Sequence, residues 1–152
     1  MTEDFTNLCK RLEHFETPEW AARAILDKEA LSGIVIDPCC GLGILAETAR
    51  QAGYPTYAND INNWGYAAQA GHENFLEIEG ILILGDFSIF MNPPFFLACP
   101  FVEKSLELGA HKIICFQRFA WWESRKRRDF WRAHPPRTHG LSGSAGTREI
   151  RR

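Results

Sequence analysis

The sequence has no apolar stretch approaching the length that a membrane-spanning helix needs, about 18 consecutive residues. The first charges, Glu3 and Asp4, leave no room before them for a secretory signal peptide. These absences argue against a membrane protein and against a secreted one. We therefore expect a cytoplasmic protein.

Paired cysteine motifs are also lacking. The five cysteines are an odd number and include no C-x-x-C spacing. This argues against a disulfide framework and against a zinc site, so we expect no bound metal. Free cysteine behaves as a small hydrophobe, which predicts buried thiols at Cys9, Cys39, Cys40, Cys99 and Cys115.

Length and periodicity predict the domain organisation. A chain of 152 residues is expected to form one domain, and it is long enough to bury a core without metal or disulfides. No internal repeat is visible. Residues 137–152 have almost no apolar periodicity, so we predict a domain of residues 1–136 followed by a disordered tail.

The net charge of −2 hides an asymmetry. Residues 1–117 contain 7 Lys/Arg and 16 Asp/Glu, a net charge of −9, whereas residues 118–152 contain 10 and 3, a net charge of +7. A basic end on an acidic body is typical of a protein that binds a polyanion, and a solvated surface helix has the same composition.

Alternating strand and helix patterns predict an α/β fold with a mainly parallel sheet. Residues 33–60 contain a strand, a helix and a second strand, which is a βαβ unit. The predicted strands are residues 33–37, 56–60, one near Phe75, 87–91 and 112–117. The predicted helices are residues 17–28, 44–51, 100–108 and 121–133.

A glycine loop follows the first predicted strand. Asp37 ends that strand, and Gly41-x-Gly43-x-x-Ala46 opens the next helix. This pattern is typical of a loop that holds a phosphate or cofactor, although a tight strand-to-helix turn has the same glycines. Asp60, at the end of the next strand, could accept both ribose hydroxyls of an adenosine or cap the segment after it. Asp37 would repel a pyrophosphate and attract a sulfonium and an ammonium, which favours S-adenosylmethionine over NAD.

Asn92-Pro93-Pro94-Phe95 follows the predicted strand of residues 87–91. Two prolines remove two backbone donors and fix φ twice. The tetrapeptide is therefore expected to form a rigid ledge that presents carbonyl oxygens, an amide side chain and an aromatic ring. Since ligands bind beyond the carboxyl ends of the strands in open α/β sheets, we predict a site for a planar amino group here.

Together, these motifs resemble those of class I S-adenosylmethionine-dependent methyltransferases, and among them the adenine-specific (N6) DNA methyltransferases. The resemblance covers roughly residues 15–133 and is carried by residues 16–19 (ETPE), 37–43 (DPCCGLG), 58–61 (ANDI) and 92–95 (NPPF). It implies a Rossmann-like fold, S-adenosylmethionine as the cofactor, and methylation of the exocyclic amine of adenine in DNA.

The resemblance also implies a role for each matched residue. In the cofactor half, Thr17 would help to hold the methionine carboxylate, and Asp60 would hold the ribose hydroxyls. Asp37, Gly41 and Gly43 would line the methionine and ribose portion.

In the target half, the Asn92 side-chain oxygen and the Pro93 carbonyl would accept the two amine hydrogens. Pro94 completes the ledge, and Phe95 would stack on the base. The family's Asp-Phe pair at the cofactor adenine has two counterparts here, at Asn74 and at Asp86. We favour Asn74 because Asp86 lies only six residues before Asn92.

The chain departs from the family at its end. The family's last antiparallel strand pair has no counterpart in residues 137–152, so we expect a sheet that lacks its last C-terminal strands. The same ledge suits an RNA adenine or a protein glutamine amide. A degenerate cofactor-binding remnant without activity is the third interpretation.

Overall fold

A computed structural model describes residues 16–122, 124–142 and 146–150 of the chain. The helices are α1 (Glu19–Leu26), α2 (Ile44–Gln51), α3 (Ala98–Glu107), α4 (Phe119–Trp122) and α5 (Arg128–Ala133). The strands are β1 (Ile34–Asp37), β2 (Thr56–Ala58), β3 (Phe87–Met91), β4 (Lys112–Cys115), β5 (Thr138–Ser142) and β6 (Gly146–Ile150). Short 3₁₀ turns occupy Phe75–Glu77, Phe95–Leu97 and Arg125–Arg127.

The first four strands form one parallel sheet in the order β2-β1-β3-β4. This architecture confirms the prediction of an α/β, Rossmann-like fold with a mainly parallel sheet. The predicted helices over residues 17–28, 44–51 and 100–108 correspond to α1, α2 and α3 within two residues at each end. The four strands of the sheet also lie within predicted strands.

Helices cover both faces of the sheet. All five residues of β3 are buried, and successive strand residues point to opposite faces. Ile89 and Met91 pack in a cluster with Phe101 of α3, whereas Phe90 packs in a second cluster with Ala22 of α1 and residues of α2. A central strand buried on both faces is what a parallel sheet between helices requires.

The pairing of β1 with β3 begins at a contact that only glycine allows. The Ile34 N–H donates to the Asp86 carbonyl over 3.3 Å. A Cβ atom on Gly33 would lie 1.7 Å from that same carbonyl oxygen. The φ of Gly33 is +65°, which side chains disfavour. The start of this strand pair therefore depends on the absence of a side chain at Gly33.

The predicted strand near Phe75 is wrong, because this segment forms a 3₁₀ turn. The Asn74 side-chain oxygen accepts the Leu76 N–H over 3.2 Å and caps the turn. Local bonds of this kind compete with a strand ladder. Phe75 is nevertheless buried, with its ring 5.2 Å from that of Phe101.

The predicted helix over residues 121–133 is also wrong, since the structure has α4, a 3₁₀ turn and α5 in its place. In a continuous helix the Trp121 carbonyl would accept the Arg125 N–H. Here that carbonyl accepts two bonds from the Arg127 guanidinium, at 3.0 and 2.8 Å. Trp121 and Trp131 nevertheless pack edge to face in the core. The apolar residues of the segment are therefore turned inward, as expected for the apolar side of a helix.

The predicted disordered tail differs from the structure, in which β5 and β6 form an antiparallel pair from Thr138 opposite Ile150 to Ser142 opposite Gly146. Composition did not indicate this pair because two adjacent segments can join with little loop-closure cost, even without an apolar pattern. The pair is a sheet of its own. Within the described residues, the main sheet therefore has four strands and no antiparallel continuation.

The described residues include no helix that is both long enough and apolar enough to cross a membrane.

Candidate functional site

A cleft opens where the strand order reverses direction. From β1 the chain adds β2 on one side, whereas β3 and β4 lie on the other. The carboxyl ends of β1 and β3 therefore meet at a switch point, the usual ligand position in an open α/β sheet. The cleft is open to solvent, and its volume is about 1200 Å³ when the space at its mouth is counted.

Eight of the ten predicted site residues line this cleft: Thr17, Asp37, Gly41, Asp60, Asn74, Asn92, Pro93 and Pro94. The sequence elements that carry them are far apart in the chain. The ends of β1, β2 and β3, the segment before α1 and the 3₁₀ turn at Phe75 bring them together. The lining does not include Gly43 or Phe95.

Asp37 is a buried carboxyl group at the end of β1, with 1% of its surface exposed. Its Oδ1 accepts the Cys39 N–H over 3.3 Å, and its Oδ2 has no hydrogen-bond partner among the described residues. Burial, together with the nearby charge of Asp60, raises the pKa of the Asp37 carboxyl from 3.8 to about 8. A buried acceptor of this kind favours a ligand that brings a donor or a positive charge.

Asp60 is buried but well supplied with donors. Its Oδ2 accepts the Gly41 N–H over 3.0 Å, and its Oδ1 accepts the Asn62 N–H over 2.8 Å and the Trp64 indole over 3.3 Å. A carboxylate has about four acceptor positions. Asp60 therefore keeps room for about one more donor, whereas the predicted role at two ribose hydroxyls requires two.

The two glycines of the loop have different surroundings. A Cβ atom on Gly41 would meet nothing within 4 Å, so the backbone here is open to a ligand. A Cβ atom on Gly43 would lie 2.4 Å from the Tyr66 ring. Gly43 therefore serves close packing at the start of α2, and it does not face the cleft.

Thr17 contacts the ledge. Its hydroxyl oxygen accepts a hydrogen bond from Asn92 Nδ2 over 2.9 Å, and Thr17 is 7% exposed. Thr17 does not cap α1, because Pro18 occupies the N-cap position, without a side-chain bond. With Nδ2 donating to Thr17, the Oδ1 end of the Asn92 amide is the acceptor.

Pro93 is held by Gln117, a residue that sequence reasoning missed. Gln117 Nε2 donates to the Pro93 carbonyl over 3.1 Å. A carbonyl oxygen has two lone pairs, so one acceptor position remains. The signal for Gln117 was available, because it lies two residues after β4 and the carboxyl ends of the strands face the ligand.

Phe95 lies beside the cleft in the 3₁₀ turn, 38% exposed. The guanidinium carbon of Arg118 lies 5.6 Å from the centre of its ring. This stack connects the ledge to residues 118–128, a basic segment in which Arg125, Lys126 and Arg128 are exposed.

The structure separates the two counterparts for the adenine contact. Asn74 lines the cleft, although its side-chain oxygen already caps the 3₁₀ turn. Asp86 is exposed just before β3, at the end of the sheet opposite to the cleft. There it accepts a hydrogen bond from Ser32 Oγ over 3.2 Å. Asn74 is therefore the counterpart that lies within reach of a ligand in the cleft.

Asn59 is a second residue that sequence reasoning missed. It is buried, and its Nδ2 donates to the Pro38 and Glu73 carbonyls over 3.2 and 2.9 Å. Its Oδ1 accepts the Glu73 N–H over 2.9 Å. Asn59 thereby joins the loop after β1 to the segment that carries Asn74.

The cysteines at the cleft are held in their thiol form. Cys39 and Cys40 are free thiols, and burial next to Asp37 and Asp60 raises the pKa of both, that of Cys40 to about 12. Because the thiolate is the reactive form, these residues are unsuited to nucleophilic catalysis. The described residues contain no group of three or more His, Cys, Asp or Glu that could hold a metal ion.

Comparison with known proteins identifies no family. No protein-family model matches the chain, and no curated protein matches it. A crystal structure of Thermoplasma acidophilum 1320 is similar over 84% of this chain and 76% of that chain, with 24% identity and a TM-score of 0.43. The α/β fold stated above is established by the strand order and pairing, independently of this neighbour.

Asp37 generates a prediction about stability. Its carboxyl binds a proton more tightly in the folded chain than in the unfolded chain, so the free energy of unfolding should fall as pH rises from about 4 to about 8. Asp37→Asn should remove most of this slope and raise the free energy of unfolding at pH 7 by roughly 2–4 kcal/mol. Urea unfolding between pH 4 and pH 8 measures both effects.

Asp27→Asn is the matched control, since Asp27 is an exposed carboxyl group just after α1. It should leave the slope almost unchanged. Equal slopes in wild type and Asp37→Asn would contradict the assignment.

Proposed function

We propose that this chain is an S-adenosylmethionine-dependent N-methyltransferase that acts on the exocyclic amine of adenine in DNA. The observation that carries the proposal is the meeting of two groups at one cleft. The first is the buried, unpartnered Asp37 oxygen, and the second is the pair of acceptors on Asn92 and Pro93. One suits a cation and the other suits a planar amine.

The residues present fit the proposed cofactor. The unpartnered Asp37 oxygen can hold its cationic end, and the open space at Gly41 admits it close to the backbone. Asp60 can accept one ribose hydroxyl while it keeps its three present donors. When bound, S-adenosylmethionine supplies a methyl group carried on a positively charged sulfur.

The ledge suits the target nitrogen. The lone pair of an exocyclic adenine amine is delocalised into the ring, which makes the nitrogen a poor nucleophile. Acceptance of both amine hydrogens, by Asn92 Oδ1 and by the remaining lone pair of the Pro93 carbonyl, draws the nitrogen toward a tetrahedral form. Pro93 has no N–H that could compete. These acceptors are fixed before the target arrives, which is the arrangement that favours catalysis.

Nucleic acid is the proposed partner because Arg118, the first residue of the basic segment, lies against the Phe95 ring of the ledge. Duplex DNA hides the adenine amine, and extrusion of a base costs a few kcal/mol. Stacking on an aromatic ring returns about 1–3 kcal/mol, a role proposed for Phe95. Arg118 over the Phe95 ring and the exposed cations after it can contact the adjacent phosphates.

A second candidate is a cofactor-binding protein without methyl transfer. It is favoured by the bond of Gln117 to the Pro93 carbonyl, which occupies one acceptor position of the ledge. Calorimetry with S-adenosylmethionine, followed by tritiated methyl transfer to DNA, RNA and protein, separates the candidates. Transfer to DNA supports the first proposal. Transfer to RNA or protein would keep the methyltransferase activity but replace DNA as the substrate. Binding without transfer supports the second.

Asn92→Ala should abolish measurable methyl transfer and leave cofactor affinity nearly unchanged, because it removes an acceptor at the target nitrogen. Loss of one such bond typically raises the barrier by about 2.7–4 kcal/mol. Asn63→Ala, at an exposed loop position outside the cleft lining, should retain activity. Wild-type transfer rates in Asn92→Ala would overturn the mechanism.

Cofactor binding should release a proton near pH 7. The Asp37 carboxyl, with a pKa of about 8, is mostly protonated at that pH, and a cationic ligand favours its charged form. Affinity should therefore rise with pH and level off above about 8. Calorimetry in two buffers of different ionisation enthalpy counts the released protons.

Asp37→Asn should eliminate the proton release. S-adenosylhomocysteine, which lacks the sulfonium charge, should release fewer protons than S-adenosylmethionine. Identical heats in both buffers for the wild-type protein would show that Asp37 does not meet the cation.

Nucleic-acid binding should depend on salt through the exposed cations. The logarithm of affinity falls with the logarithm of salt concentration by about 0.9 per phosphate contact in duplex DNA. A triple variant, Arg125→Gln with Lys126→Gln and Arg128→Gln, should therefore lower the slope by about 2–3. Fluorescence anisotropy with a labelled duplex measures it. Lys28→Gln, an exposed cation after α1, is the control, and equal slopes in both variants would remove these residues from the interface.

A further inference from the structure

We propose that Thr17 is a positioning residue, which orients and polarises the Asn92 amide for the target amine. This differs from the role at the cofactor carboxylate that the resemblance implied. The proposal rests on the proposed function for its catalytic consequence, and on geometry alone for the contact.

The contact is built into the fold. Thr17 and Asn92 are 75 residues apart in the chain, and Asn92 Nδ2 donates to Thr17 Oγ1 over 2.9 Å. Both residues line the cleft. Thr17 directly precedes Pro18, whose carbonyl accepts the Ala21 N–H over 2.9 Å at the start of α1. Since α1 is anchored by buried Ala21, Ala22 and Ile25, the hydroxyl is held against the end of β3.

The orientation of the amide determines what the ledge offers. An asparagine amide has a donor end and an acceptor end of almost the same shape. With Nδ2 turned to Thr17, Oδ1 is the end of the amide that can accept an amine hydrogen. The reverse orientation would place an NH₂ group against the target NH₂ group, and no hydrogen bond would form between them.

Polarisation adds to orientation. A hydrogen bond from Nδ2 to Thr17 withdraws electron density from the nitrogen and makes Oδ1 a stronger acceptor. Linked hydrogen bonds strengthen one another by about 10–30% each in condensed phases. The chain of bonds would run from the target amine through the Asn92 amide to the Thr17 hydroxyl.

A hydroxyl group can also donate, so Thr17 could support the reverse orientation by donating to Oδ1. A target amine removes this ambiguity, because only Oδ1 can accept from it. Thr17 then accepts from Nδ2. The bound target thus selects the amide orientation, and Thr17 stabilises that orientation by accepting from Nδ2.

The test uses Thr17→Val, which keeps the side-chain shape and removes the hydroxyl, and Thr17→Ser, which restores it. Thr17→Val should lower kcat roughly 10-fold, with little change in the cofactor affinity measured by calorimetry. Thr17→Ser should recover most of the lost rate. Loss of cofactor affinity at unchanged kcat would overturn the proposal in favour of the carboxylate role.

Thr48→Val is the matched control. Thr48 is buried in α2, and its hydroxyl donates to the Ile44 carbonyl over 2.7 Å, away from the ledge. The same chemical change there should leave kcat unchanged. An equal fall of kcat in Thr48→Val would mean that general destabilisation explains the result.

A second readout needs no activity. In protein labelled with ¹⁵N-asparagine, the Asn92 side-chain NH₂ signals are those missing from Asn92→Ala. Thr17→Val should shift these signals and speed their exchange, because one hydrogen-bond acceptor is lost, whereas Thr17→Ser should not. Unchanged signals in Thr17→Val would overturn the proposal. If the wild-type protein transfers no methyl group, the proposed function fails, and these spectra still decide the role of Thr17.

Discussion

The parallel pairing of β1 with β3 determines where each group of the cleft lies. Ile36 is opposite Ile89 in the shared register, so Asp37, the last residue of β1, and Asn92, which follows β3, lie at the same end of neighbouring strands. Because helices cover both faces of the sheet, the two groups can meet a ligand only beyond the carboxyl ends of the strands. Because β3 is entirely buried, this alignment is held by the core and not by the ligand.

The two buried acids of the cleft, Asp37 and Asp60, differ in how far hydrogen bonds compensate for their burial. Asp60 is satisfied by three donors from the loop around it, and it stabilises that loop. Asp37 keeps an oxygen without a partner and is costly to ionise. The free energy that a ligand would gain therefore lies mainly at Asp37, whereas Asp60 mainly gives the site its shape.

Much of this could be predicted from the sequence, because strand patterns and the glycine loop are local signals. The βαβ unit and the placement of Asp37, Asp60 and Asn92 at strand ends follow from alternation of apolar segments. The contacts of Thr17 with Asn92 and of Gln117 with Pro93 could not be predicted, since they join residues that only the tertiary fold brings together. The break between α4 and α5 was missed because a side chain, Arg127, takes the carbonyl that the helix would use.

The geometry of the cleft also depends on Gly33, at the opposite end of the β1–β3 pair. Any side chain there would meet the Asp86 carbonyl, the first acceptor of the β1–β3 pair. Relief by a slip of one residue would turn every side chain of β3 to the opposite face. Phe90 would then point to the face of the sheet that Ile89 and Met91 now occupy. Asn92 would lose its hydrogen bond to the Thr17 hydroxyl. The position of Asn92 after the carboxyl end of β3 therefore depends on the absence of a side chain at Gly33, where the β1–β3 pair begins.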